Sequence, residues 1–269
     1  MMYRKNWMNW KIFSRKKRFL KSPDLTTYKN GVGLTLNKNV NCEHCESRGK
    51  GIFCHLDSFS LSQIDENKVI NTYKKGHTLF FQGNPPFGLY CVNKGKIKIS
   101  KVGSDGKEFI IRIASSGDIL GHRSLFSNEP YMANATILEE ATICFIDKNF
   151  IYKAIKEKPN MALQLIQRLS KELGTAESLV SSMSQKNVRE RLAELILMLK
   201  KTYGIEEDGR TRINIKLTRE ELASMIGTVS ETIIRFITEF KEEGMITQEG
   251  KIIYVLDEKK LLEFSGMHY

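Results

Sequence analysis

Residues 217–246 read LTREELASMIGTVSETIIRFITEFKEEGMI, and the order of signals in this stretch specifies a compact pair of helices. Thr218-Arg219-Glu220-Glu221 has capping-box spacing: the Thr218 hydroxyl accepts from the amide three residues on and Glu221 reaches back, so a helix starts here. Leu222, Ala223 and Ile226 form its inward face. Gly227 permits a tight turn, and Thr228 or Val229 opens a second helix bearing Ile233, Phe236, Ile237 and Phe240. Two short helices joined around a glycine form a helix-turn-helix. Opposite the apolar stripe, near the start of the second helix, stand Ser230, Glu231, Ile234 and Arg235. That end of such a motif enters the major groove of DNA. Arg235 can donate twice to the O6 and N7 of a guanine, and Glu231 can accept from a cytosine amino group. Thr218 and Thr228 are further candidate contacts. Beyond Gly244, the runs Met245–Thr247 and Ile252–Leu256 flank Glu249-Gly250-Lys251 as a β-hairpin wing, so residues 187–269 are expected to form a winged helix-turn-helix.

Working back from this segment, Ile213–Leu217 reads as a short strand, Gly204–Arg212 as a polar connector, and Val188–Lys201 as an amphipathic helix. Over 159–186, Ala162, Leu165, Leu169, Leu173, Ala176, Val180 and Met183 recur at helical spacing in a narrow apolar seam. Such a seam suits pairing with a second copy, so this is the predicted helix of a parallel homodimer, with Leu165, Leu169, Leu173, Ala176, Val180 and Met183 at its interface. Residues 59–158 instead carry short apolar runs: His77–Phe81, Gly88–Val92, Ile97–Val102, Glu108–Ile113, Asp118–Gly121, Ala135–Leu138 and Thr142–Ile146. Closely spaced short strands argue for an antiparallel roll, with Gly95, Gly106 and Gly117 at its turns. The whole is an α+β chain: an N-terminal β-roll of jelly-roll type, a long dimerisation helix and a C-terminal winged helix-turn-helix.

With 269 residues and 41% apolar content the chain can bury two cores. Its net charge of +11 suits a polyanionic partner, double-stranded DNA before a membrane surface. Much of the excess lies in residues 1–41, a basic extension with no apolar h-region and no small-residue cleavage site. No run approaches the roughly 20 apolar residues of a membrane helix, so a cytoplasmic protein is expected, with no membrane partner. There is no Gly-rich phosphate loop, metalloprotease helix or nucleophile elbow, and the chain does not read as an enzyme.

Five cysteines in such a chain read as thiols or metal ligands rather than disulfides. Cys42, Cys45 and Cys54 cluster in the segment 42–58, and two chemistries are open to them. Cys42-x-x-Cys45 with Cys54 has enough chain to wrap an iron–sulfur cluster. With His44 or His55 the same three thiols supply a Cys3His zinc site. Cys91 reads as a core residue.

From about Cys42 onward the chain resembles the CRP/FNR transcription regulators. The resemblance rests on residues 217–246 and on "GDILGHRSLFSNEP", residues 117–130, which sits at the characteristic loop of their effector roll. It implies a two-fold dimer on two related DNA half-sites, and RNA polymerase as a partner. Glu231 and Arg235 match the family's base-reading pair, whereas Ile234 replaces a Ser or Gly. In the FNR branch the fourth ligand of an oxygen-sensing [4Fe-4S] cluster lies on a roll strand, and "EEATICFIDKNF", residues 139–150, puts Cys144 at that place. The resemblance therefore implies a Cys42, Cys45, Cys54, Cys144 set, with zinc the alternative. Cyclic nucleotide is disfavoured, since Gly121-His122-Arg123 and Pro130-Tyr131-Met132-Ala133 lack the phosphate-pairing Arg in its place. Ala176 stands uncharged near the family's repulsive acidic residue on the dimer helix.

Overall fold

A computed structural model describes residues 40–45, 48–53 and 56–266; the basic arm before residue 40, Cys54 and His55 lie outside the described residues. Helix α1 (Ser58–Asn67) is capped by Asp57, whose carboxylate accepts from the Ser60 amide at 2.8 Å. It runs straight into β1 (Lys68–Tyr73), and β2 (Thr78–Phe80), β3 (Gly88–Val102), β4 (Glu108–Ala114), β5 (Ile119–Leu120), the short helix α2 (His122–Ser127) and β6 (Asn134–Asp147) follow. The strands pair antiparallel in the order β1-β6-β3-β4, with β2 alongside β6 and β5 alongside β3. This is the expected roll.

Four of its expected strands are in fact two. Gly88–Val92 and Ile97–Val102 are one strand, β3, and Ala135–Leu138 and Thr142–Ile146 are one strand, β6. Register shifts between Val92 and Ile97 bend this pair without breaking it. Gly95 therefore sits in a bulge rather than a turn, at φ 98°, where an added Cβ would stand 2.5 Å from the Ala141 Cβ. Gly106 and Gly117 do occupy turns. β1 is unreadable because Lys68, Asn71 and Thr72 interrupt its apolar pattern.

Two apolar cores fill the roll. Phe80, stacked on Tyr131 at 3.9 Å, packs with Val92, Ile97, Leu120, Ile137 and Ile143 at one end. At the other, Leu61 and Ile64 of α1 meet Leu89, Ile119, Ile146, and Ile151 of α3 (Lys148–Glu157). Helix α4 (Pro159–Gln185) begins on proline, which is pre-set for the first helical turn, and its 27 residues span about 40 Å. Its first turns bury Met161 and Leu165 in that second core.

Helix α5 (Val188–Tyr203) opens with an Asn187–Glu190 capping box. Beyond it the expected polar connector is instead a hairpin, β7 (Gly204–Glu207) and β8 (Arg210–Ile213). Its two-residue loop is Asp208-Gly209, both at positive φ (49° and 75°), which is the type I′ geometry that matches strand twist. Only Ile213 of the expected strand Ile213–Leu217 is in a strand; the next residues lead as irregular chain into α6 (Arg219–Ile226). After α7 (Ser230–Glu242) come β9 (Ile246–Glu249), β10 (Ile252–Val255) and α8 (Glu258–Ser265). The hairpin joins the wing in one sheet of order β7-β8-β10-β9. Leu192, Ile196, Leu222, Ile233, Phe240 and Leu261 form the core beneath. At the roll's edge strand β4, the Ser224 hydroxyl of α6 donates to Glu108 O at 2.7 Å and accepts from the Ile110 amide at 3.0 Å.

Candidate nucleic-acid interface and cysteine cavity

The Thr218 capping box forms as read: Glu221 N–H donates to Thr218 Oγ1 at 3.1 Å and the Thr218 amide donates to Glu221 Oε2 at 2.8 Å. Gly227 ends α6 at φ 67°, the left-handed geometry that lets α7 turn away. On α7, Ile233, Ile237 and Phe240 are buried, while Glu231, Ile234 and Arg235 are exposed on the other side and Ser230 is half-exposed. The Arg235 guanidinium lies 4.8 Å from the centre of the Phe236 ring, so its fork starts from a stacked position on the helix surface. Thr218 and Thr228 are half-buried, and the Thr218 hydroxyl is engaged as the cap.

The dimer seam is partly reassigned. Leu165 is 5% exposed and turned into its own roll, and Met183 lies over the Gly227 turn of its own chain, its Sδ 3.5 Å from where a Gly227 Cβ would stand. Burial takes Leu165 off the free face, while Met183 is half-buried against its own chain. Leu173, Ala176 and Val180 are exposed, Leu169 is half-buried, and Leu163 and Ile166, outside the predicted set, extend this apolar line toward the start of α4.

Cys42, Cys45 and Cys144, separated by up to about a hundred residues, line one largely apolar cavity of about 50 Å³ together with Leu61, Ile64 and Ile146. Cys91 lines it too, directly opposite Cys144 in the β3–β6 register. Sequence reading placed Cys91 in the core because a lone mid-strand cysteine carries no spacing signal; only strand register brings it to the other thiols. Burial pushes the Cys42 thiol up to about 12 against the pull of Lys68, and Cys144 up to about 11; Cys91 is likewise raised by burial. Metal uptake there must displace protons.

Polar groups enter this apolar space in two places. Lys68 Nζ donates to Val40 O at 2.6 Å, to Cys42 Sγ at 3.1 Å and to the Asp65 carboxylate, which also accepts from the Cys42 amide at 2.9 and 3.1 Å. Asn93 Nδ2 donates to Cys45 Sγ at 3.2 Å. Among the described residues no three His, Cys, Asp or Glu side chains converge on a single ion. Thiols spread around an apolar space, with N–H donors aimed at sulfur, fit the donor chemistry of a multi-iron cluster.

The cavity wall is tied to α4. Asp118, a lining residue, is ion-paired with Arg168; Arg168 Nε donates to Glu172 at 2.8 Å, and Glu172 accepts from the buried His122 Nε2 at 2.9 Å, with Arg112 3.5 Å away. Burial works to raise the Glu172 carboxyl, but His122, Arg112 and Arg168 together bring it down to about 2. Arg123 is exposed.

Residues 70–158 match the cyclic nucleotide-binding domain family, and residues 190–264 the Crp-like helix-turn-helix domain family. A CRP-like cAMP-activated global transcriptional regulator of Mycobacterium tuberculosis is 28% identical over 211 residues, 78% of this chain and 94% of its own. The anaerobic regulatory protein of Bacillus subtilis is 31% identical over 202 residues, 74% of this chain and 85% of its own. A solved transcriptional regulator of the CRP/FNR family from Thermus thermophilus superposes with a TM-score of 0.63 at 25% identity, over 74% of this chain and 98% of that one. With a β-roll, a long helix and a winged helix-turn-helix in this order, the chain belongs to the CRP/FNR family of transcription regulators.

Proposed function

We propose that the chain acts in the cytoplasm as a homodimer that reads two-fold related DNA half-sites, with RNA polymerase as its further partner, and that its grip is set by an iron–sulfur cluster held through Cys42, Cys45, Cys54 and Cys144. The observation that carries this reading is that Cys42, Cys45 and Cys144 line one apolar cavity whose wall residue Asp118 is ion-paired to α4. When bound, such a cluster supplies a group that oxygen or nitric oxide destroys. The chain's own residues do the rest. Cys42 and Cys45 anchor the N-terminal loop, and Cys144 lies between β1 and β3 in the sheet, opposite Ile70 and Cys91. Asp118, Arg168 and Glu172 then carry any shift of the wall into α4, and α4 sets the spacing of the two copies of α7, which read half-sites about one helical turn apart.

Two further points support this input over a cyclic nucleotide. Arg112 and Arg168 are held by Glu172 and Asp118, Arg48 donates to Glu43 O and Leu56 O, and Arg123 is exposed on the surface, so among the described residues these guanidiniums are engaged or lie outside the roll interior where a cyclic phosphate would sit. The Bacillus subtilis relative is itself named for anaerobic regulation. The test is anaerobic reconstitution of the full chain with ferrous iron and sulfide, followed by metal and sulfide analysis, visible absorption and DNA affinity before and after air. The reading expects iron and sulfide in cluster ratio and a loss of DNA affinity in air. A chain with no iron or sulfide and unchanged affinity refutes it; equimolar zinc with no visible absorption assigns the thiols to a structural zinc site.

A further inference from the structure

Lys68 is an unusual residue to find beside four cysteines. Its side chain is 2% exposed, on the first residue of β1, and burying an ammonium is costly unless every donor is met. Its three N–H groups have three acceptors: a carbonyl, a carboxylate and a sulfur. Asp65, at the end of α1, is bound on one side by Lys68 and on the other by the Cys42 amide, so the ion pair holds Cys42 by its backbone and by its sulfur at once. Asn93 on β3 holds Cys45 in the same way, by an N–H aimed at Sγ, and its own carbonyl is tied down by the Ser116 hydroxyl at 2.7 Å. The roll thus grips the Cys42-x-x-Cys45 loop through the two atoms that would ligate metal.

We infer that Lys68 and Asn93 are positioning residues for the Cys42 and Cys45 sulfurs, and that the balance of charge between Lys68 and Asp65 sets the reduction potential of the bound cluster. The inference rests on the cluster reading above and adds to it residues with no spacing signal of their own. Hydrogen bonds to the sulfurs and net charge nearby are what a protein uses to tune such a potential. A cation beside a thiolate favours the reduced, more negative cluster, and a carboxylate opposes it. The two members of this ion pair therefore act with opposite sign. A merely structural staple would respond in the same direction to the loss of either partner.

The experiment uses the full chain reconstituted anaerobically with ferrous iron and sulfide, with midpoint potential measured by mediated titration and iron, sulfide and thermal stability measured alongside. Lys68→Met is expected to lower the potential and Asp65→Asn to raise it, each by at least about a threefold change in the oxidised-to-reduced ratio, roughly 30 mV for a one-electron couple. Lys68→Arg is expected to stay close to the parent chain, and Asn93→Ala to shift in the same direction as Lys68→Met but less. Should Lys68→Met not load, Asp65→Asn and Asn93→Ala still decide the sign. Loaded Asp65→Asn with a lowered or unmoved potential overturns the inference. A parent chain that takes up neither iron nor sulfide overturns the cluster reading, and this inference with it.

Discussion

Replacing Glu172 by Gln removes the one carboxylate that His122, Arg168 and Arg112 share between the roll and α4. The surroundings of Glu172 move its carboxyl from 4.5 to about 2, which at about 1.4 kcal/mol per pH unit is about 3 kcal/mol of folded-state stabilisation. The side chain is 26% exposed, so solvent screening reduces this to about 2 kcal/mol. Because the folded value is depressed, the contribution is present in full above pH 4.5 and is lost as pH falls through about 2. Urea unfolding at constant protein concentration, followed by circular dichroism, should show the Glu172→Gln chain about 2 kcal/mol weaker at pH 7, and the gap should narrow steadily as pH is lowered from about 5 toward 3. A loss under about 0.5 kcal/mol at pH 7, or a gap that does not narrow in acid, would refute the reasoning. Either result would mean that the arginines and His122 find water instead of leaning on this carboxylate.

Arg235→Ala should cost about 1–3 kcal/mol of discrimination at one base pair, read by competition between half-site variants; equal weakening on every sequence would make Arg235 a phosphate contact. Val180 is 69% exposed on α4, so Val180→Glu should leave the single chain folded yet shift sedimentation toward monomer. Thr218→Ala removes the α6 cap and should lower stability by about 1 kcal/mol in a thermal melt. Gly95→Ala places a methyl 2.5 Å from Ala141 at a φ of 98° and should cost several kcal/mol, seen as a loss of soluble, folded protein.

The helix-turn-helix was legible because its signals are local: a cap, a glycine and an apolar stripe within a few turns. The hairpin at Asp208-Gly209 was equally local, yet its charged strands, Gly204–Glu207 and Arg210–Ile213, carry too little apolar alternation to announce themselves, and only the turn dipeptide marks them. The seam on α4 shows the opposite failure. Leu165 and Met183 keep perfect helical spacing, but a helix that touches its own roll at one end and its own DNA-binding domain at the other spends part of its apolar face on the same chain. The cysteine cavity lay beyond local reading altogether. Cys91 meets Cys144 through pairing across fifty residues of roll, and Lys68 reaches Cys42 from a strand whose polar residues hid it.

Ser224 has a consequence for what happens when the two domains part. β4 is an edge strand of the roll's sheet, and a bare edge of this kind is a template for adding another strand. By engaging Glu108 O and the Ile110 amide, Ser224 makes the DNA-binding domain the cover of that edge. Any movement that lifts α6 away uncovers a pairing site at the same moment, so domain freedom and protection from self-association are held by the same contacts: the Ser224 hydroxyl, the Tyr203 hydroxyl on Ile113 O and the burial of Ile110. A roll expressed without residues 187–269 should accordingly associate edge to edge, whereas the full chain keeps that strand to itself.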